Sequence, residues 1–255
     1  METVTYEVRD RIAWITLNRP EKLNAINSDM RDDLFGAFED FDSNPDAWVG
    51  IITGAGRAFS VGHDLVQMGT KVGKSTGPER TTDDLYIYER RLSKPIISAI
   101  NGICLAQGAG IALCSDIRIA SEKAQFGWPQ VKRGISSISG PSLLSHMVPL
   151  NVAFEFLFTG EFIPIEECLK LRLINKIVPH EQVLEEAEKV ARKILENAPL
   201  SVRAIKKASI EGQNKSLEER IPIARAQANV CNASEDAAEG LLAFKEKRAP
   251  VWQGR

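Results

Sequence analysis

The sequence predicts an α/β domain whose C-terminal part is helical, and three observations carry that expectation. In the first half, runs of β-branched and aromatic residues alternate with segments of helical periodicity. From Ser139 onward helical patterns dominate. A chain of 255 residues with 44% hydrophobic and 26% charged content is large enough, and ordinary enough, to bury a real core.

The elements follow in order. "VTYEVRD" and "IAWITLNR" read as strands split by the charged pair Asp10-Arg11. Asn27 or Ser28 can cap a helix whose apolar positions Met30, Leu34, Ala37, Phe38 and Phe41 fall on one face. "WVGIIT" is a buried strand that leads into the glycine-containing loop "GRAFSVGHDL". The polar stretch from about Gly69 to Arg80 is expected to be mobile. "LYIYERRL" suggests a helix, "KPIISAI" a strand, "GAGIALCS" a helix, and "DIRIAS" and "AQFG" short strands.

Further on, Pro164 suits the first turn of a helix, "PIEECLKLR". "INKIVP" interrupts as one strand, and four helical segments follow, beginning with "HEQVLEEAEKVARKILENA". The last of these carry apolar faces with little chain left to cover them, which predicts packing on the main domain or on another subunit. No internal repeat of fixed short period and no low-complexity segment is present.

Composition excludes several classes. A net charge of −2 offers no general attraction to nucleic acid or anionic membrane, although "KRAPVWQGR" could form a local basic patch. Cys104, Cys114, Cys168 and Cys231 form no CxxC pair, and only three histidines could join them, which argues against structural zinc. Reduced core thiols are the simpler expectation. The charged, alternating "METVTYEVRD" is unlike a signal peptide, and the longest apolar stretch is broken by Asn101, Gln107 and three glycines. A soluble, cytoplasmic protein with no nucleic-acid or membrane partner is expected.

The loop at 54–65 admits three readings. A dinucleotide fingerprint fails because Phe59 stands where the third glycine belongs, and the loop runs on to Gly62 before a helix can start. No GxxxxGK[ST] occurs. His63 and Asp64 as a side-chain pair would point in different directions, and Asp64 can simply cap the next turn. His146 and His180 look like ordinary helix residues. The third reading uses the backbone: amides near Gly62, and those at the turn in "CLAQGAGIAL", could aim two N–H groups at one carbonyl oxygen.

Five segments in one order and spacing, "LNRPEKLNAIN", "IITGAGRAFSVGHDL", "KPIISAINGICLAQGAGIALCSDIRIAS", "AQFGWPQVKRGI" and "SEDAAEGLLAFKEKRAPVWQGR", resemble the crotonase superfamily, the enoyl-CoA hydratase/isomerase family, almost end to end. The resemblance implies a spiral of ββα units, with residues 1–195 as the acyl-CoA-binding core. Residues 196–255 would be a helical region for packing and for assembly into a homotrimer or a dimer of trimers. It implies an oxyanion hole from the backbone N–H groups of His63 and Gln107, with Gly108 as the alternative second donor. Lys22, Leu23 and Ala25 match the segment along the adenine end of CoA. Ser60, Gly62, Asp64 and Leu65 match the loop around pantetheine and thioester, and Pro129, Gln130 and Arg133 fall in the family's "FGxPE" segment. Lys247 matches a basic residue that reaches a neighbouring subunit's CoA phosphate; a solvated helix end is the plainer alternative. No metal or redox cofactor is implied, since CoA belongs to the substrate.

The sequence departs from the family where hydratases carry glutamates. Those positions are Gly110 and Gln130, and a third site used for a carboxylate in some members is Ile138. Gln130 can orient a water but cannot accept a proton at neutral pH, while each acid or base role is worth roughly 10²–10⁴-fold. Three outcomes stay open: a hydratase- or isomerase-type enzyme, a decarboxylase of malonyl-type thioesters, and a thioester-binding protein with little activity. Decarboxylation needs no base, and some family decarboxylases also have "GHD" at the hole. The cluster Gln130, Ser136, Ser137 and Ser139 could position a carboxylate or hydroxyl, or simply cap a helix. Asp64, Glu89 or Asp116 could serve as a substitute acid, although Glu89 beside Arg90 and Arg91 reads as a surface ion pair. Asp116 reads as a helix end or a partner of Arg118.

Overall fold

Two strands, β1 (Val4–Arg9) and β2 (Ile12–Leu17), form an antiparallel hairpin around Asp10 and Arg11, whose φ angles are 50° and 67°. Two positive φ values in a two-residue loop give a turn whose twist matches that of the strands. The computed structural model describes residues 1–69 and 80–255. Of the stretch expected to be mobile, residues 70–79 lie outside the described residues.

Helix α1 (Ser28–Ser43) starts at Asn27, whose side chain accepts from Met30 N, and it buries Met30, Leu34, Phe38 and Phe41 as their spacing predicts. Strand β3 (Val49–Gly54) is buried along its whole length and runs parallel to β2. A repeated plan follows. Strand β3 continues into β4 (Ala58–Ser60) and then α2 (Leu65–Gly69) and α3 (Thr82–Arg91). Strand β5 (Ile96–Ile100) continues into β6 (Ile103–Leu105) and α4 (Gln107–Cys114). Strand β7 (Ile117–Ser121) continues into β8 (Gln125–Gly127) and a 3₁₀ turn over Pro129–Arg133.

After a short π-helical turn come α5 (Ser145–Met147), α6 (Leu150–Thr159), β9 (Phe162–Ile163), α7 (Ile165–Lys170) and β10 (Lys176–Val178). Pro164 is the N-cap of α7, one position before the first helical residue. Among the described residues the first strand of each unit joins one sheet, ordered β1-β2-β3-β5-β7-β10, and the second joins another, ordered β4-β6-β8-β9. The result is a spiral of strand–strand–helix units, stacked by parallel pairing.

Both faces of the larger sheet are covered, which explains the unbroken apolar runs. One face meets α1 through Leu34 and Phe38. The other meets α8 (Val183–Leu195), whose Val183, Ala187 and Ala191 pack with Ile51, Ile97 and Ile119. The C-terminal helices α9 (Pro199–Glu211), α10 (Leu217–Asn232) and α11 (Glu235–Glu246) complete the chain. They dock through Lys206, whose ammonium meets Asp116 Oδ2 at 2.8 Å, and through Gly254, which lies against Trp48. Ile205, Leu217, Ile221, Val230, Leu241 and Phe244 remain exposed on them.

Two expectations are corrected. Glu89 is not a surface ion pair: it is 0% exposed and accepts from Ser115 Oγ at 2.7 Å. A helix of two faces was legible in "LYIYERRL", but α4 covers the face that carries Glu89. Asp116 does not pair with Arg118; it accepts from Ile96 N and Lys206 Nζ. Arg118 turns inward to the carbonyls of Leu113, Ser115 and Leu173. All four cysteines are free and buried.

Candidate active site

The loop after β4 is built by hydrogen bonds to the segment before α1. Asn24, wholly buried with φ 55°, donates from Nδ2 to Ala55 O and Ala58 O, and its own carbonyl accepts from Ser60 Oγ. Two residues further on, Ile26 N donates to Gly62 O at 2.7 Å and Asp64 N donates to Ile26 O at 3.0 Å. This is a parallel bridge centred on His63. In such a bridge the flanking residues bond to the partner, and the central residue turns its N–H and C=O to the other side. Among the described residues the His63 N–H has no protein acceptor.

The second amide comes from the turn between β6 and α4. Ala106 sits at φ 55° and ψ −115°, a conformation that L-residues adopt only under constraint. The constraint is visible: its N–H donates to Gly127 O, and its carbonyl accepts from Gly110 N and from Ser139 Oγ. Ser139 is in turn fixed by Trp128 Nε1 at 2.8 Å. This kink places Gln107 as the first residue of α4, with its N–H unused by the helix. The two turns touch. A Cβ at Gly62, whose φ is +88°, would lie 2.9 Å from the Gln107 nitrogen and 2.7 Å from Ala106 Cβ.

His63 and Gln107 both line one cavity of about 670 Å³. Lys22, Leu23, Ala25, Asp64 and Leu65 are on its wall, as are Pro129, Gln130, Arg133 and Ile138. Ser60, Gly62 and Gly108 are buried behind that wall: Ser60 Oγ bridges Asn24 O and Gly62 N, and Gly108 is packed on the Ser60 carbonyl. Lys247 stands apart as the exposed C-cap of α11. Ser136 and Ser137 reach the cavity, whereas Ser139 points inward to Trp128.

The side chains around the amides divide by charge. Burial keeps the His63 imidazole below its ordinary pKa and therefore neutral, with Nε2 3.1 Å from Thr82 Oγ1. Burial acts to raise the Asp64 carboxyl, but the Gln67 N–H and the Arg19 guanidinium outweigh it and hold the group ionised. Asp64 also caps α2 through Val66 N and Gln67 N. Gln130 lines the same cavity, and its Oε1 is buried with no hydrogen-bond partner among the described residues.

Space explains the glycine at 110. A Cβ there would fall 2.5–2.6 Å from the Tyr86 ring and hydroxyl. Helices α3 and α4 advance in step: Asp83 meets Gln107, Tyr86 meets Gly110, and Glu89 meets Ser115. Asp83, Tyr86, Asn24 and Arg19 are the residues that sequence reasoning missed. The 83/86/89 spacing of one helical face was the available signal for two of them. For Asn24 it was the tolerance of asparagine for positive φ.

Comparison with known proteins agrees with this architecture. A family model described as enoyl-CoA hydratase/isomerase matches residues 7–255. The chain is 36% identical over 260 residues to (E)-benzylidenesuccinyl-CoA hydratase of Thauera aromatica, covering 98% of this chain and 99% of that protein. It is 35% identical to a probable mitochondrial enoyl-CoA hydratase of Dictyostelium discoideum, covering 99% and 91%. A crystal structure of an enoyl-CoA hydratase/isomerase from Mycobacterium paratuberculosis superposes with a TM-score of 0.91 at 34% identity, covering 99% of each chain.

Proposed function

The chain belongs to the enoyl-CoA hydratase/isomerase family, and on that premise we propose that it processes an acyl-CoA thioester through an enolate held by the backbone N–H groups of His63 and Gln107. The observation that carries this reading is their juxtaposition: two amides without protein acceptors among the described residues, on two turns in van der Waals contact, at the wall of one cavity. Charge that develops on a thioester oxygen there meets fixed donors, each worth roughly 10²–10³-fold in rate. Lys22, Leu23 and Ala25 would border the CoA moiety, and Leu65, Ile138 and Phe162 supply apolar wall for an acyl group. The hydratase relatives favour addition or removal of water as the reaction.

A second reading, decarboxylation of a malonyl-type thioester, is favoured by the absence of a carboxylate at Gly110, Gln130 and Ile138. Exposed Leu241, Leu242 and Phe244 on α11 and Ile221 on α10 would be covered in a homotrimer. Among the described residues no helix is long and apolar enough to cross a membrane.

Mass spectrometry of crotonyl-, longer enoyl- and malonyl-type CoA thioesters incubated with the protein tests the reaction. A gain of one water supports hydration, and loss of CO₂ supports decarboxylation. Binding without turnover would leave only a thioester-binding role for these substrates.

A further inference from the structure

We propose that Asp83 is the proton-carrying group of this site, in place of the acid that position 110 lacks; the proposal rests on the acyl-CoA reading above. The carboxyl sits on α3 with Oδ1 3.1 Å from Nε2 of Gln107, the residue whose amide forms half of the hole. Its other oxygen is neither sealed from solvent nor bonded to a protein donor among the described residues. Gln107 lines the cavity and its Nε2 holds Asp83, so Asp83 stands one residue away from the space beside the two amides.

The neighbouring acids are committed elsewhere. Asp64 is tied to Arg19 and caps α2. Glu161 faces solvent at the cavity rim and pairs with Lys132. Glu89 is sealed in the interior, Asp116 is held by Lys206, and Asp84 closes the capping box with Thr81. Helix α3 also explains the exchange of positions. Tyr86, one turn beyond Asp83, fills the space a side chain at 110 would need, so the helix that excludes an acid from α4 carries one of its own toward the same hole. Burial, reinforced by Asp84, raises the Asp83 carboxyl above its ordinary value, the direction a proton carrier needs near neutral pH.

In hydration, the oxygen of water bonds to the β-carbon of the enoyl thioester while a proton of that water passes, through a bridging water at the free Asp83 oxygen, to the Asp83 carboxylate. The Cα=Cβ electron pair moves into the enolate at the two amides. The Asp83 carboxyl then returns a proton by the same route to the α-carbon, so that H and OH have added across the double bond and the aspartate is regenerated.

Exchange of the α-protons of butyryl-CoA in D₂O, followed by NMR, isolates the proton transfer from the identity of the natural substrate. Asp83→Asn keeps an oxygen for Gln107 Nε2 but carries no proton. Its exchange rate is expected to fall by about 10²-fold or more with the Kd for butyryl-CoA unchanged, and Asp83→Glu should restore part of the rate. Exchange by folded Asp83→Asn at the wild-type rate would overturn the proposal. So would wild-type protein that binds butyryl-CoA without exchanging it, which leaves the acyl-CoA reading standing. Failure to bind any acyl-CoA would remove both.

Discussion

Gly62 packs directly against the backbone nitrogen of Gln107, so the two turns that carry the candidate hole donors are fixed to each other rather than merely adjacent. A side chain at 62 would require a left-handed conformation (φ +88°) and would press on the Gln107 nitrogen and the Ala106 Cβ at under 3 Å. Gly62→Ala is therefore expected to destabilise the fold by about 1–3 kcal/mol. It should lower turnover more than that loss of folded protein explains. Thermal unfolding and kcat, measured on the same preparation, separate the two effects.

The bridge between Ile26 and residues 62 and 64 does not use the His63 N–H. Proline at 63 thus removes one candidate hole donor without removing a backbone hydrogen bond. His63→Pro should reduce kcat by roughly 10²–10³-fold, whereas His63→Ala, which keeps the amide, should cost far less. Equal losses in both variants would show that the imidazole and its Thr82 contact, not the amide, matter.

Restoring a glutamate at 110 should fail on steric grounds. Gly110→Glu drives a Cβ into the Tyr86 ring, and overpacking of this kind costs roughly 1–3 kcal/mol. Tyr86→Ala leaves a cavity that costs several kcal/mol by itself, on the order of 3. The double variant is expected to be more stable than the sum of the two losses, by about 1 kcal/mol or more. A double-mutant cycle in urea measures this coupling, and strict additivity would mean that the two positions do not share space.

Glu89 gives a pH dependence of stability. Burial pushes its carboxyl up to about 8, against the lowering by the Ser115 hydrogen bond and by Lys206, with Asp116 raising it and Arg118 lowering it. The folded state therefore keeps a proton that the unfolded chain releases near its ordinary value of 4.5. The stabilisation is complete below that value and is lost as pH rises toward 8, because folding then requires either proton uptake or a buried charge. Glu89→Gln accepts the Ser115 bond without ionising. It should flatten the dependence between about pH 5 and 8, by a difference on the order of 2 kcal/mol, as read from denaturant unfolding at both ends of that range. A wild-type stability that does not fall over the range would contradict it.

Much of this protein was legible from its residues. Alternating strands and helices, the Asn27 cap, the buried runs at 49–54 and 96–100 and the place of the two glycine-containing turns follow from periodicity, capping chemistry and glycine position. These are local properties, set within a few residues. The resemblance to a family adds candidate roles for His63 and Gln107, since spacing alone indicates two turns but not that they meet.

What only the tertiary structure decided is which face of each helix meets which partner. The period of α3 separates Asp83, Tyr86 and Glu89 from its outer face, but nothing in that period states that α4 lies against them. In sequence, Gly110 is a missing acid; in space it is the room that Tyr86 occupies, and Glu89 changes from an exposed charge to a sealed carboxyl for the same reason. Ser60 likewise moves from the cavity to the framework behind it, because Asn24, 36 residues earlier, takes its hydroxyl. Local sequence fixes the conformation of each segment. The burial of a side chain, and with it its charge and its reach, depends on residues brought together from far along the chain.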